Sequence, residues 1–294
     1  MNFKKVRLKN PSFQYTFMIS TMITDNHMHL YNHLRLKALK QFRQAGGTHV
    51  FLVSLLSHHY GIAPSNGDDF RAIFDDHIKL VERANEIVKA YAILSVHPAE
   101  ITILSRRWGA DRAGEIMKEA LEIAGGYVAE GKAVAIKSGR PHYEVGDYIR
   151  RVSNEVMMHA FRIAKEVDCP VQLHTESYTK EGMEEIARIA DKAGIKRDRV
   201  IKHFSPPRVD EFSEIGLFPS VIAMGDNAVK AAGQGDRFVL ETDYIDDKSR
   251  PGSVLGPKTV PKKIKELLKA GFDEDFVMKI CKDNIEMIYG IELE

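Results

Sequence analysis

The sequence predicts a single (β/α)8 TIM barrel, an α/β fold, and three observations carry that expectation. Eight short apolar runs alternate with amphipathic helix patterns along the chain. No linker, low-complexity tract or charge block divides them. Strands that alternate with helices pair in parallel, and eight such units over about 270 residues suit a closed barrel better than an open sheet. The 294 residues are therefore read as a barrel over 22–294, preceded by an N-terminal extension over 1–21.

Taken in order, the expected strands are 22–25, 49–56, 90–96, 133–136, 171–173, 200–203, 220–223 and 238–240. Between them lie helix patterns. Leu30, Leu34, Ala38, Phe42 and Ala45 repeat at close to i,i+4 and stop at Gly46-Gly47. Ile116, Ala120, Leu121 and Ala124 precede Gly125-Gly126, which read as a helix stop. Val156, Ala160, Ile163, Ala164 and Val167 form the next stripe, and Ile186, Ile189, Ala190 and Ala193 precede Gly194. Gly233-Gln234-Gly235 reads as a turn before the last strand.

Composition narrows the class. With 44% hydrophobic and 28% charged residues, the chain has apolar mass for a sizeable core and too much for disorder. Lys and Arg (42) nearly balance Asp and Glu (41), so no global field draws the chain to nucleic acid or a membrane, and any anionic partner must be held locally. Two cysteines, Cys169 and Cys281, make neither a disulfide framework nor a zinc ribbon and fit a reducing, cytoplasmic setting. The basic stretch with Lys4, Lys5, Arg7 and Lys9 precedes an apolar run over 17–23, too short for a signal peptide and leading straight into Asp25-Asn26-His27-Met28-His29. A native start at Met18 or Met22 is the expectation there. No run approaches the roughly 20 apolar residues of a membrane span.

A barrel presents its chemistry at the C-terminal ends of its strands. The polar residues expected there are Asp25, His27 and His29, then His97, Lys137, His174 with Glu176, His203 and Asp243. Side chains at i and i+2 of an extended segment share a face, so His27 and His29 can chelate one ion from one strand end. His174, His203 and Asp243 at equivalent strand ends add imidazole and carboxylate donors suited to Zn²⁺, Mn²⁺, Co²⁺ or Fe²⁺. Lys137 sits where a carboxylate would bridge two ions. Two divalent ions, Asp243, a bridging hydroxide and an ammonium sum to roughly +3, whereas a lysine carboxylated by CO₂ brings the sum to roughly +1, which favours a carboxylated, metal-bridging Lys137. The other readings of Lys137 are a strand-end lysine directed outward and a Schiff-base lysine of an aldolase-type barrel.

These residues fall in ordered motifs. Asp25-Asn26-His27-Met28-His29-Leu30, Val96-His97-Pro98, Val171-Gln172-Leu173-His174, Val200-Ile201-Lys202-His203-Phe204-Ser205 and Leu240-Glu241-Thr242-Asp243 resemble the motifs of TatD-related metal-dependent hydrolases. The segment from Lys282-Asp283-Asn284 to Tyr289-Gly290-Ile291 resembles that family's closing helix. More narrowly, Gly139-Arg140-Pro141-His142-Tyr143 and Asp246-Asp247 with Arg250-Pro251-Gly252 are similar to an archaeal branch of the amidohydrolase superfamily barrels. The resemblance implies His27 and His29 on one ion, His174 and His203 on a second, and Asp243 as ligand and general base. Lys137 departs from it, since TatD-type relatives usually carry Glu in strand four and phosphotriesterase-like amidohydrolases a carboxylated Lys.

The expected reaction is hydrolysis by a water that two ions activate, with Asp243 taking its proton. Basic loop residues Arg140, Arg208, Arg250 and Lys258 favour a phosphoester, a small molecule or nucleic acid, as substrate. His97, Arg140, His142, Glu176 and Arg250 are the expected substrate-binding set, and Glu176 and Glu241 are further candidates to support the ligands. His33, His49, His77 and His159 read as helix-surface or core residues. Rival readings are a lactone or cyclic amide substrate, a Schiff-base lyase acting through Lys137, and a barrel that binds without turnover. Homo-oligomerisation is left open. No Walker-type loop or dinucleotide fingerprint is present, so a nucleotide cofactor is not expected.

Overall fold

The computed structural model describes residues 22–30, 35–245 and 255–294. The extension over 1–21, with its start-codon question, His33, Leu34 and Arg250 all lie outside the described residues. Eight strands form one sheet in chain order: β1 Thr24–Met28, β2 His49–Val53, β3 Lys89–Ser95, β4 Ala135–Gly139, β5 Val171–His174, β6 Val200–Ser205, β7 Phe218–Ile222 and β8 Val239–Glu241. Every neighbouring pair is parallel. The ring closes where Met28 bridges Tyr244, with Asp243 N donating to His27 O at 3.0 Å and His29 N to Tyr244 O at 2.6 Å. This is the single (β/α)8 barrel that the alternating pattern predicts.

The helices packed around it are α1 Arg35–Ala45, α2 Phe70–Ala84, α3 Glu100–Trp108, α4 Ala110–Ala129, α5 Asp147–Glu166, α6 Lys180–Ala193, α7 Val209–Ile215, α8 Asn227–Ala232, α9 Thr259–Lys269, α10 Glu274–Met278 and α11 Asn284–Tyr289. Strand alternation divides the core. On β2, Val50 and Leu52 join the layer between sheet and helices, whereas Phe51 and Val53 join the barrel interior with Ile93, Ile201 and Phe218. Ile285, Ile288 and Tyr289 of α11 belong to that interior cluster, and the Tyr289 ring stacks on Phe51 at 4.2 Å.

The strand bounds shift at one end or both by one to three residues from those expected, β1 for example to Thr24–Met28, which takes His27 into the strand; two changes have a clear physical reason. Helix α4 runs through Gly125-Gly126 to Ala129, because Gly125 serves packing: a Cβ there would lie 2.4 Å from Ile163 Cγ2 of α5. Strand β4 runs on to Gly139, which sets Lys137 inside the sheet, in register with Gln172 of β5. Gly139 itself adopts φ +140°, and a Cβ on it would lie 2.0 Å from the His174 carbonyl oxygen. Only glycine permits β4 and β5 to meet that closely. Gly139→Ala is expected to destabilise the fold by about 3 kcal/mol or more, through both the strained φ and the clash, read as a lowered midpoint in urea unfolding.

Candidate metal centre

Two strands bend where their histidines emerge. The β1–β2 register slips between Asp25 and Met28, and the β6–β7 register slips between Lys202 and Ser205. Such bulges re-aim side chains beside functional sites. Within the second, Phe204 takes φ +53° and its N–H donates to Glu241 Oε1 at 2.8 Å. Asp243, just past β8, takes φ +48°, held by the contacts that close the barrel. A left-handed backbone at a residue other than glycine costs on the order of 1–3 kcal/mol and persists only where the surroundings impose it.

These bends gather His27, His29, Lys137, His203 and Asp243. His27 Nε2 lies 3.1 Å from His29 Nε2 and 3.0 Å from Lys137 Nζ. Asp243 Oδ1 lies 3.8 Å from His27 Nε2, 3.7 Å from His29 Nε2 and 3.8 Å from His203 Nε2. The His27 and His203 rings stack with centroids 3.7 Å apart, and His203 Nδ1 lies 2.7 Å from Glu241 Oε1. His27, His29 and Asp243, and likewise His27, His203 and Glu241, offer donor atoms close enough together to hold a cation.

The hydrogen bonds beneath this cluster fix its tautomers. Gln172 Nε2 donates to Asn26 O at 2.8 Å and to Tyr289 OH at 2.7 Å, so Gln172 Oε1 must accept, and it does so from His27 Nδ1 at 2.6 Å. Tyr289 OH donates in turn to Asn26 Oδ1 at 2.8 Å. His29 Nδ1 has the carbonyl of Val53 at 2.7 Å, which only accepts. Both rings therefore carry their proton on Nδ1 and direct lone pairs from Nε2 toward each other. Burial, reinforced by the nearby Lys137 charge, holds both rings well below the ordinary histidine range, so neither is charged near neutral pH. Without a metal, the Lys137 amine 3.0 Å from His27 Nε2 answers one of these lone pairs, and zinc–imidazole bonds of roughly 2.0–2.1 Å would separate two ligand nitrogens by about 3 Å, close to the spacing found here. The donor set fits a divalent metal ion. Gln172→Leu removes the acceptor that locks His27 and leaves His27 Nδ1 and Asn26 O unpaired in the core; it is expected to weaken metal affinity by about 10–100-fold, measurable by chelator competition, and to lower stability by about 1–3 kcal/mol or more, measurable by urea unfolding.

Lys137 is 1% exposed, and burial pulls its ammonium down to about 8 against the opposing pull of Asp243 and Glu241. Glu241, fully buried, accepts from Ser220 Oγ and from Phe204 N, and burial holds its carboxyl well above the usual range. Above these residues opens a cavity of about 270 Å³, walled by His29, Lys137, His174, His203 and Asp243 with His59, His97 and His142 at its rim and Leu55, Leu56 and Ile245 as its apolar side. His142 Nδ1 lies 2.8 Å from His174 Nε2, and the His97 ring lies 4.5 Å from that of His174. His97 Nδ1 accepts from Ala99 N at 3.2 Å, which leaves the proton of the neutral ring on Nε2.

Several expected site residues stand elsewhere. Arg140 is 1% exposed and does not wall the cavity: it reaches Glu176 at 2.5 and 2.8 Å and Glu185 and Asn154 at 3.0 and 3.1 Å. Arg140, expected to contact substrate, is engaged by two partly exposed carboxylates and an amide, and Glu176, expected beside it, is one of those carboxylates. Asp25 accepts from Thr242 N, Thr242 Oγ1 and His27 N, joining β1 to β8 rather than facing the rim. Burial pushes its carboxyl up to about 7. Arg208 is exposed and pairs with Glu211 at 3.3 Å. His77 and His49 bond backbone carbonyls, of Leu52 at 2.9 Å and Glu294 at 3.1 Å, and His159 pairs with Glu122 at 3.1 Å, as structural residues do. Sequence reasoning did not single out Gln172, Asn26, Ser220 or Tyr289. Their signal was polarity inside otherwise apolar strand and helix patterns.

A closed barrel with histidine and carboxylate donors gathered at the C-terminal ends of its strands defines the class of metal-dependent barrel hydrolases. The family model for TatD-related DNases matches residues 24–290, and the chain belongs to that family. An uncharacterized protein from Methanocaldococcus jannaschii is 35% identical over 285 residues, covering 94% of this chain and 98% of the relative. Among solved structures, the fold is shared with a TatD homologue from Escherichia coli at TM-score 0.61 and 17% identity, over 93% of this chain and all of the other. It is shared too with an organophosphorus hydrolase from Deinococcus radiodurans at TM-score 0.61 and 14% identity, over 92% and 93% of the two chains. Among the described residues no helix is long and apolar enough to cross a membrane.

Proposed function

We propose that the protein hydrolyses phosphoester bonds, as a nuclease or phosphodiesterase, with two divalent ions of the Zn, Mn, Co or Fe type held by His27, His29, His174, His203, Asp243 and a carboxylated Lys137. The observation that carries the reading is the pair of tautomer-locked lone pairs of His27 and His29 facing each other at 3.1 Å beside Asp243. When bound, the ions supply a water acidified toward neutrality and a Lewis acid for the substrate oxygen. Asp243 Oδ1, within 4 Å of three imidazoles and lining the cavity, would take a proton from the attacking water and return it to the leaving group. His97, with its proton on Nε2, is placed to donate to a non-bridging oxygen of the substrate. Carboxylation converts the Lys137 amine and CO₂ to a carbamate with release of one proton, and this needs a neutral amine, which a buried site favours. A cytoplasmic location accords with the two cysteines, both buried and unpaired.

A second reading has its own support. The apolar side formed by Leu55, Leu56 and Ile245, and the absence of an arginine among the described lining residues, favour an uncharged ester such as a lactone. Protein stripped by chelation and reconstituted with Mn²⁺, Co²⁺ or Zn²⁺ in bicarbonate should regain activity on phosphodiesters, single-stranded DNA included. Turnover of lactones alone would replace the phosphoester reading with the lactone one. Activity that survives stripping would point instead to the amine of Lys137, and borohydride trapping would identify it.

A further inference from the structure

We infer that His142 is a ligand of the outer of the two ions, binding through Nδ1 beside His174 Nε2. The inference rests on the two-ion reading above and divides its ligands differently. His203 is drawn inward: its ring stacks on His27 at 3.7 Å, its Nδ1 meets buried Glu241, and its Nε2 shares Asp243 with His27 and His29. The His203 ring is 5.6 Å from that of His174. The nitrogen that His174 presents to the cavity instead meets His142, at 2.8 Å. An outer ion seated on His174 thus has a second imidazole at hand on the rim, from the loop after β4.

That loop is built to hold its position. Arg140 N donates to His174 O at 2.9 Å, which ties the residue two before His142 directly to the strand end that carries His174. The Arg140 side chain is then anchored by Glu176, two residues after His174, and by Glu185 of α6. A buried guanidinium held by two carboxylates is costly unless geometry is well satisfied, and here it fixes the segment from Gly139 to His142 against β5. His142 itself is exposed, so a metal reaches it without rearrangement of the core. Imidazole suits the same ions that the inner cluster takes. The ion pair that holds Arg140 therefore positions His142 as a donor.

The test is Co²⁺ binding to the full-length chain, followed by equilibrium dialysis with metal analysis and by visible absorption, for the unaltered protein and His142→Ala. Tyr143→Ala, altering the adjacent exposed side chain, is the control. The expected result is two ions per chain in the unaltered protein and the control. His142→Ala should keep the first with unchanged affinity, bind the second at least about 100-fold more weakly, and lose the absorption that develops with the second equivalent. Two ions bound with unchanged affinity by His142→Ala overturn the inference and leave the two-ion hydrolase standing. The same holds if His203→Ala, and not His142→Ala, weakens the second ion selectively. A protein that binds one ion or none overturns it together with the two-ion reading.

Discussion

Lys137→Ala is expected to lower hydrolytic turnover by about 10²–10³-fold and to reduce bound metal from two ions per chain to at most one. Lys137 Nζ stands 3.0 Å from His27 Nε2 in the wall of the cavity, so under the proposed reading its removal would take a metal-holding carboxylate out of the centre rather than a charge off its rim. Alanine leaves a space about the size of the missing side chain, and a short carboxylic acid fits it in shape and charge. Acetate or propionate should therefore restore part of the activity to Lys137→Ala and none to Asp243→Asn. Steady-state rates across carboxylate concentrations, with metal analysis in parallel, measure both. Full activity in Lys137→Ala without any added acid would remove Lys137 from the mechanism.

Asp243→Asn should cost about 10²–10⁴-fold in kcat, the range for a group that moves a proton in the transition state. The amide preserves size and shape and lacks the ability to take a proton from water. Because Asp243 approaches His27, His29 and His203 alike, part of the loss should appear as weakened metal binding. Rates measured at saturating metal separate that part from the proton transfer. The backbone is a further consideration, since asparagine tolerates the left-handed φ of +48° about as well as aspartate, whereas alanine does not. Asp243→Asn should hence unfold at nearly the same temperature as the unaltered protein, and Asp243→Ala earlier.

Much of the barrel was legible because parallel strands buried on both faces read as apolar runs, and the helices around them show their stripes at 3.6 residues. The strand starting at His49 and the one starting at Val171 begin where the pattern placed them. The end of β4 was not legible, since Lys137 and Ser138 break the apolar run while remaining in the sheet, and local polarity does not reveal that a strand continues into a buried site. Gly125 misled for a related reason. A glycine that stops a helix and a glycine that admits a neighbouring helix are the same letter, and only the approach of Ile163 separates them.

At the site, the sequence by itself determined the kinds of donor and their order along the chain. His27 and His29 at i,i+2, with histidines and an aspartate at later strand ends, specify a metal-suited set wherever a barrel brings strand ends together. Tertiary structure alone decided which atoms face one another. The bulges in β1 and β6, the Gln172–Tyr289–Asn26 bonds that set the His27 tautomer, and the burial of Arg140 against Glu176 and Glu185 join residues up to 263 positions apart. Composition and periodicity register what a segment buries. They do not register the direction of a ring nitrogen or the partner of a guanidinium, which are fixed only when distant strands close the ring.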